Sequence, residues 1–155
     1  MKSVYMEEAI KLSREAIATY QGGPFGAVIV KDGRIIGRGK NAVTSKNDPT
    51  AHAEIMAIRD ACASLGTFAL ENCELYTSCE PCPMCLAAIY WARIGKVFYA
   101  NTHEDAKAAG FDDAFLYDEI CLPLKRRKVS MVRLMPNEAR AVLEEWNELP
   151  DKTEY

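Results

Sequence analysis

The stretch from Phe25 to Gly39 sets the strongest limit on what this chain can fold into. Phe25 to Val30 is apolar and partly β-branched, Lys31-Asp32-Gly33-Arg34 is a tight-turn signal, and Ile35 to Gly39 returns as a second strand. An isolated hairpin is marginal in water, so it must join a larger sheet and be covered. The flanking sequence supplies both. Met6, Ala9, Ile10, Ser13, Ala16, Ile17 and Tyr20 recur at helical spacing across Tyr5 to Tyr20, and Gln21-Gly22-Gly23-Pro24 stops that helix. A second helix is expected from Ala51 to Leu65, ended by Gly66, and a short buried strand from Cys73 to Thr77. Pro83 to Ala92 reads as a helix and Lys96 to Ala100 as a strand. Ala106 to Tyr117 is less regular, broken by Gly110; Val129 to Leu134 reads as a fifth strand and Asn137 to Leu149 as the last helix. This order predicts an α/β fold, one mixed five-stranded sheet with helices on both faces. At 155 residues, it is expected to be a single domain spanning 1–155.

Composition narrows the function. Apolar residues make up 49% and charged residues 26%, which excludes a collagen, a long coiled coil and a mostly disordered chain. Lys plus Arg is 19 against 22 for Asp plus Glu, a net charge of -3 that suits a small-molecule substrate better than nucleic acid. No apolar run reaches the length of a membrane span, and Glu7, Glu8 and Glu15 spoil any signal-peptide pattern, so a cytoplasmic location is expected. The basic run Lys125 to Lys128 reads as a solvated turn or as a contact with another subunit or an anion.

The chemistry is concentrated in two short motifs. His52-Ala53-Glu54 stands near the start of one predicted helix and Cys82-Pro83-Met84-Cys85 at the start of another. Two cysteines three residues apart on a helix point toward one metal, and one imidazole beside them favours zinc. His52, Cys82 and Cys85 make a three-ligand set that leaves a position for water, whereas Cys79 is the candidate for a fourth ligand that would close a structural site. Glu54 is placed to exchange protons with a metal-activated water. His103 reads as a surface residue or a supporter of the site, Cys62, Cys73 and Cys121 as buried small apolar side chains, and Cys79 as structural or as a neighbour of the metal.

His-Ala-Glu followed by Pro-Cys-x-x-Cys is the pattern of zinc nucleobase deaminases. The chain resembles the cytidine/deoxycytidylate deaminase superfamily over most of its length. Within it, Gly23 to Val30, Asn47 to Glu54, Tyr76 to Cys85, Ala88 to Arg93, the segment Ala109-Gly110-Phe111-Asp112-Asp113 and the terminal Tyr155 are similar to the bacterial guanine deaminase branch. The resemblance implies a three-layer α-β-α sandwich around a mixed five-stranded sheet. It implies hydrolytic deamination of guanine to xanthine and ammonia by a zinc-activated hydroxide, with one zinc per chain on His52, Cys82 and Cys85. Glu54 and Asp113 are then the proton carriers, and Asn41, Phe25, Trp91, Tyr155 and Ala53 the substrate contacts. A homodimer is implied, with residues 136–155 exchangeable between subunits, and neither nucleic acid nor a membrane as partner.

Plainer readings stand beside these. Asn41 suits a turn, Phe25 and Trp91 suit the core, Asp112 could replace Asp113, and Tyr155 could be a frayed end. The same fold could also serve a guanosine deaminase or a tRNA adenosine deaminase. A zinc-stabilised binding module, with four ligands and no use for Glu54, is the non-enzyme alternative.

Overall fold

The computed structural model describes residues 2–155. The chain divides into two compact units, one ending at Ala114 and the other running from Phe115 to Tyr155. The first contains helix α1 (Lys2–Ala18), the hairpin β1 (Gly26–Lys31) and β2 (Arg34–Lys40), the short α2 (Val43–Lys46), α3 (Ala53–Leu65), β3 (Glu74–Cys79), α4 (Pro83–Trp91), β4 (Lys96–Asn101) and α5 (His103–Ala108). Asp32 and Gly33 both take positive φ, 49° and 74°, which gives the two-residue turn the twist its strands need.

The sheet has four strands in the order β2-β1-β3-β4. β1 is antiparallel to β2 and β3, while β3 and β4 are parallel and joined through α4. Alternation along β1 divides the core. Ala27 and Ile29 face one layer with Ala53, Ala57 and Ile89, and Val28 and Val30 face the other with Leu12 and Tyr76. Helices therefore cover both faces, as the element order requires.

The expected five-stranded sheet is not what forms. Val129 to Leu134 makes no ladder among the described residues, and Val132 is 84% exposed. Its β-branched, apolar character marks a segment able to extend. A strand also needs a neighbour to satisfy its backbone and a surface to bury its side chains.

α3 lies unusually close to β2 because small residues meet there. A Cβ added at Gly39 would sit 2.0 Å from the Ala53 carbonyl oxygen and 2.4 Å from the Ala57 nitrogen. This close approach sets the depth at which the first turn of α3 enters the structure. Gly39→Ala is expected to destabilise the protein by about 2–3 kcal/mol, lowering Tm by roughly 5–10 °C. Gly95→Ala, where a Cβ meets nothing within 4 Å, is the control and should leave the melting curve in place.

The second unit carries most of α6 (Ala114–Cys121), a 3-10 turn (Leu124–Arg126) and α7 (Pro136–Glu148). Arg127 of the basic run donates to the Ile120 and Leu122 carbonyls at 2.9 and 3.0 Å, capping the end of α6. Cys121, expected to be buried, is exposed. α7 leaves Val142 and Leu143 exposed. No helix among the described residues is long and apolar enough to cross a membrane.

Candidate metal centre

Two helix starts converge on one point. The Asp48 carboxylate accepts from the Thr50 amide and hydroxyl at 2.8 and 2.6 Å, turning the chain just before α3. His52 follows as the N-cap of α3, with extended backbone. Cys82 is the N-cap of α4, whose first helical residue is Pro83, and Cys85 lies in the same first turn. The positive ends of both helices favour thiolate at this point.

The His52 Nδ1 atom is 3.6 Å from Cys82 Sγ and 3.5 Å from Cys85 Sγ, and all three atoms lie within 4.8 Å of one another. Tetrahedral zinc, with bonds of about 2.3 Å to sulfur and about 2.1 Å to nitrogen, separates such atoms by about 3.6 Å. His52 Nδ1 thus already has the spacing from both sulfurs that zinc demands. The Cys82 thiol is pulled down to about 4, first by its interaction with the neighbouring Cys85 and then by His52, while Cys85 is pushed up by the same interaction and by burial. Cys79 stands apart. Its thiol donates to the Thr102 carbonyl at 3.5 Å, and burial pushes it up to about 11.

Glu54, in the first turn of α3, is only 6% exposed. Its Oε1 accepts from the Thr77 hydroxyl at 3.2 Å and its Oε2 from the Cys85 thiol at 3.4 Å. Burial is the main cause that raises its pKa.

A cavity of about 350 Å³ opens above this floor, within the range of small-molecule sites. His52, Glu54 and Cys82 line it together with Phe25, Asn41 and Asp113. Phe25 meets Phe111 edge-on, with ring centroids 5.0 Å apart, so it is a wall as well as a core neighbour. Asn41 is buried; its Oδ1 accepts from the Gly23 and Val43 amides, both at 3.2 Å. Asp112 also lines the cavity, but its carboxylate is taken up by the Ala114 amide at 3.1 Å and Lys107 at 3.6 Å. Asp113 beside it is raised in pKa, first by burial and then by the Cys82 charge. Ala53 is fully buried at the head of α3. Trp91 is 62% exposed at the end of α4 and is not among the described residues lining the cavity. Tyr155 is exposed and belongs to the second unit.

Of two further wall residues, His103 was expected at the surface or supporting the site, and Glu80 carried no signal of its own. Glu80 and His103 both line the cavity, and one Glu80 oxygen accepts from the His103 ring at 2.9 Å and from its amide at 3.3 Å. They meet because the parallel ladder sets Cys79 opposite Asn101.

Residues 1–101 match the cytidine and deoxycytidylate deaminase zinc-binding region. The chain belongs to this deaminase family. The matched region contains the three candidate metal ligands and Glu54 and stops before the Phe111-Asp112-Asp113 segment. A guanine deaminase of Bacillus subtilis (strain 168) is 52% identical over 151 residues, 97% of each chain. A solved structure of a guanine deaminase from Bacillus subtilis superposes with a TM-score of 0.95 at 52% identity, covering 99% of this chain and 98% of that one. Another deaminase, the tRNA-specific adenosine deaminase of Aquifex aeolicus, is 46% identical over 104 residues, 66% of this chain and 68% of its own. Likeness to the guanine enzyme therefore runs through the C-terminal third, and the match to the adenosine enzyme is shorter.

Proposed function

We propose that this chain deaminates guanine, converting guanine and water to xanthine and ammonia. The observation that carries this reading is the 52% identity to a guanine deaminase across 97% of the chain. The ligand spacing and the buried Glu54 beside it support the same chemistry.

His52, Cys82 and Cys85 would hold a zinc ion, which would supply the Lewis acidity that makes water a nucleophile near neutral pH. The remaining work falls to the chain. Glu54 takes a proton from the attacking water and delivers it to the departing nitrogen, since ammonia leaves only once protonated. Asp113 serves the ring nitrogen next to the reacting carbon. Asn41 lines the cavity and has its Oδ1 already engaged by two amides, which leaves its Nδ2 as the donor for an acceptor atom of the base. Phe25, braced by Phe111, walls the slot for a flat ring. The Ala53 amide is one of the first-turn donors that a helix leaves without an intrahelical partner.

On the strength of the sequence resemblance, Trp91 is assigned to the aromatic slot around the ring and Tyr155 to closing the pocket. In the same reading the enzyme is a homodimer that exchanges residues 136–155, supported by the apolar side chains α7 leaves exposed. No nucleic acid takes part, in keeping with the net charge of -3. A cytoplasmic setting is supported by six cysteines that are all unpaired.

Ammonia release from guanine, guanosine, adenine, cytosine and a tRNA anticodon stem-loop tests this. Guanine alone should be consumed, with xanthine and ammonia formed in equal amounts. Turnover of guanosine, or of adenosine in the stem-loop, at the expense of guanine would overturn the substrate assignment.

A further inference from the structure

Glu54 can carry protons only while its carboxylate stays aimed at the reacting atoms. Two side chains hold it, Thr77 at Oε1 and Cys85 at Oε2. Cys85 belongs to the candidate metal set, so Thr77 is the side-chain donor to Glu54 that stands outside it.

Thr77 is well placed for this. It is 1% exposed, on a strand paired on both sides, opposite Ala27 of β1 and Tyr99 of β4. Both ladders fix its backbone, and its β-branched side chain has few χ1 choices. Valine has the same shape and would suit a buried strand, but it has no hydroxyl to give. The Oγ1 reaches Glu54 across the interface between β3 and α3, an anchor on a rigid element.

Resting on the role given to Glu54 above, we propose that Thr77 is the positioning residue of the reaction. It tethers one Glu54 oxygen to β3 so that the other is free for proton transfer.

Thr77→Val, Thr77→Ser and Glu54→Gln are compared for kcat and KM on whichever base the native enzyme turns over, with zinc content measured on the same samples. Thr77→Val should keep about one zinc per chain and hold KM within about twofold while kcat falls about 10- to 100-fold. Thr77→Ser, which restores the hydroxyl, should return kcat to within about threefold of native. In metal-free protein, Thr77→Val should lower the thermal midpoint in the native background and much less beside Glu54→Ala, because the two residues act as a pair. If the valine variant does not fold, Thr77→Ala takes its place with the same expectations. The proposal is overturned if Thr77→Ser is as slow as Thr77→Val, if Thr77→Val turns over normally, or if its thermal cost is the same without Glu54. Full turnover by Glu54→Gln would instead remove the role of Glu54 itself, whereas an inactive Glu54→Gln beside an unimpaired Thr77→Val overturns only the role of Thr77.

Discussion

Glu54→Gln is expected to bind about one zinc per chain and to lose about 10²- to 10⁴-fold in kcat. Glutamine fills the same space and can still accept the Thr77 hydroxyl through its amide oxygen. It cannot take up and return a proton. Because the side chain is 6% exposed, bulk water is poorly placed to substitute for it. The melting temperature should not fall, since an amide is easier to bury than a carboxylate. Steady-state kinetics, zinc analysis and a melting curve on one preparation check all three points. An enzyme that keeps its full kcat would mean the metal acts without this carboxylate. A variant that loses its zinc would mean Glu54 belongs to the ligand set.

Cys85→Ser is expected to act at an earlier stage. The serine hydroxyl is a hard, protonated donor where a soft thiolate is needed. Losing one of three protein ligands should leave zinc largely removable by dialysis. Turnover should fall about 10³-fold or more, which corresponds to the several kcal/mol a metal Lewis acid supplies. The native protein should lose about 4 kcal/mol of stability on chelation if it held zinc at about a thousand times its Kd. The Cys85→Ser variant should show little further change with chelator. Cys79→Ser is the comparison. Its thiol bonds to the Thr102 carbonyl and lies outside the cluster, so zinc content should be unchanged. Zinc loss from Cys79→Ser with retention by Cys85→Ser would exchange the two assignments.

Much of the site was readable in the sequence because its ligands are local. His52 and Glu54 share one helix start, Cys82 and Cys85 another, and helix starts follow from nearby turn residues and Pro83. The hairpin was readable for the same reason, since Asp32 and Gly33 form its turn by themselves. What escaped depends on partners distant in the chain. Val129 to Leu134 has the composition of a strand, but composition does not provide the neighbour a strand requires. Thr77 reads only as strand until the register of β3 against its neighbours and the close seat of α3 turn its hydroxyl toward Glu54. Glu80 and His103 become a pair only through the parallel ladder beside them. Asp112 and Asp113 are adjacent and alike in sequence, and only the structure shows that Lys107 and the Ala114 amide engage Asp112.

The account depends most on a single catalytic zinc. Metal-free protein should therefore be titrated with zinc while guanine turnover and bound metal are measured on the same samples. Turnover should start near zero, rise in proportion to bound zinc and level off at about one ion per chain. Full activity in the metal-free protein, or zinc binding to saturation without any turnover of guanine, would contradict it.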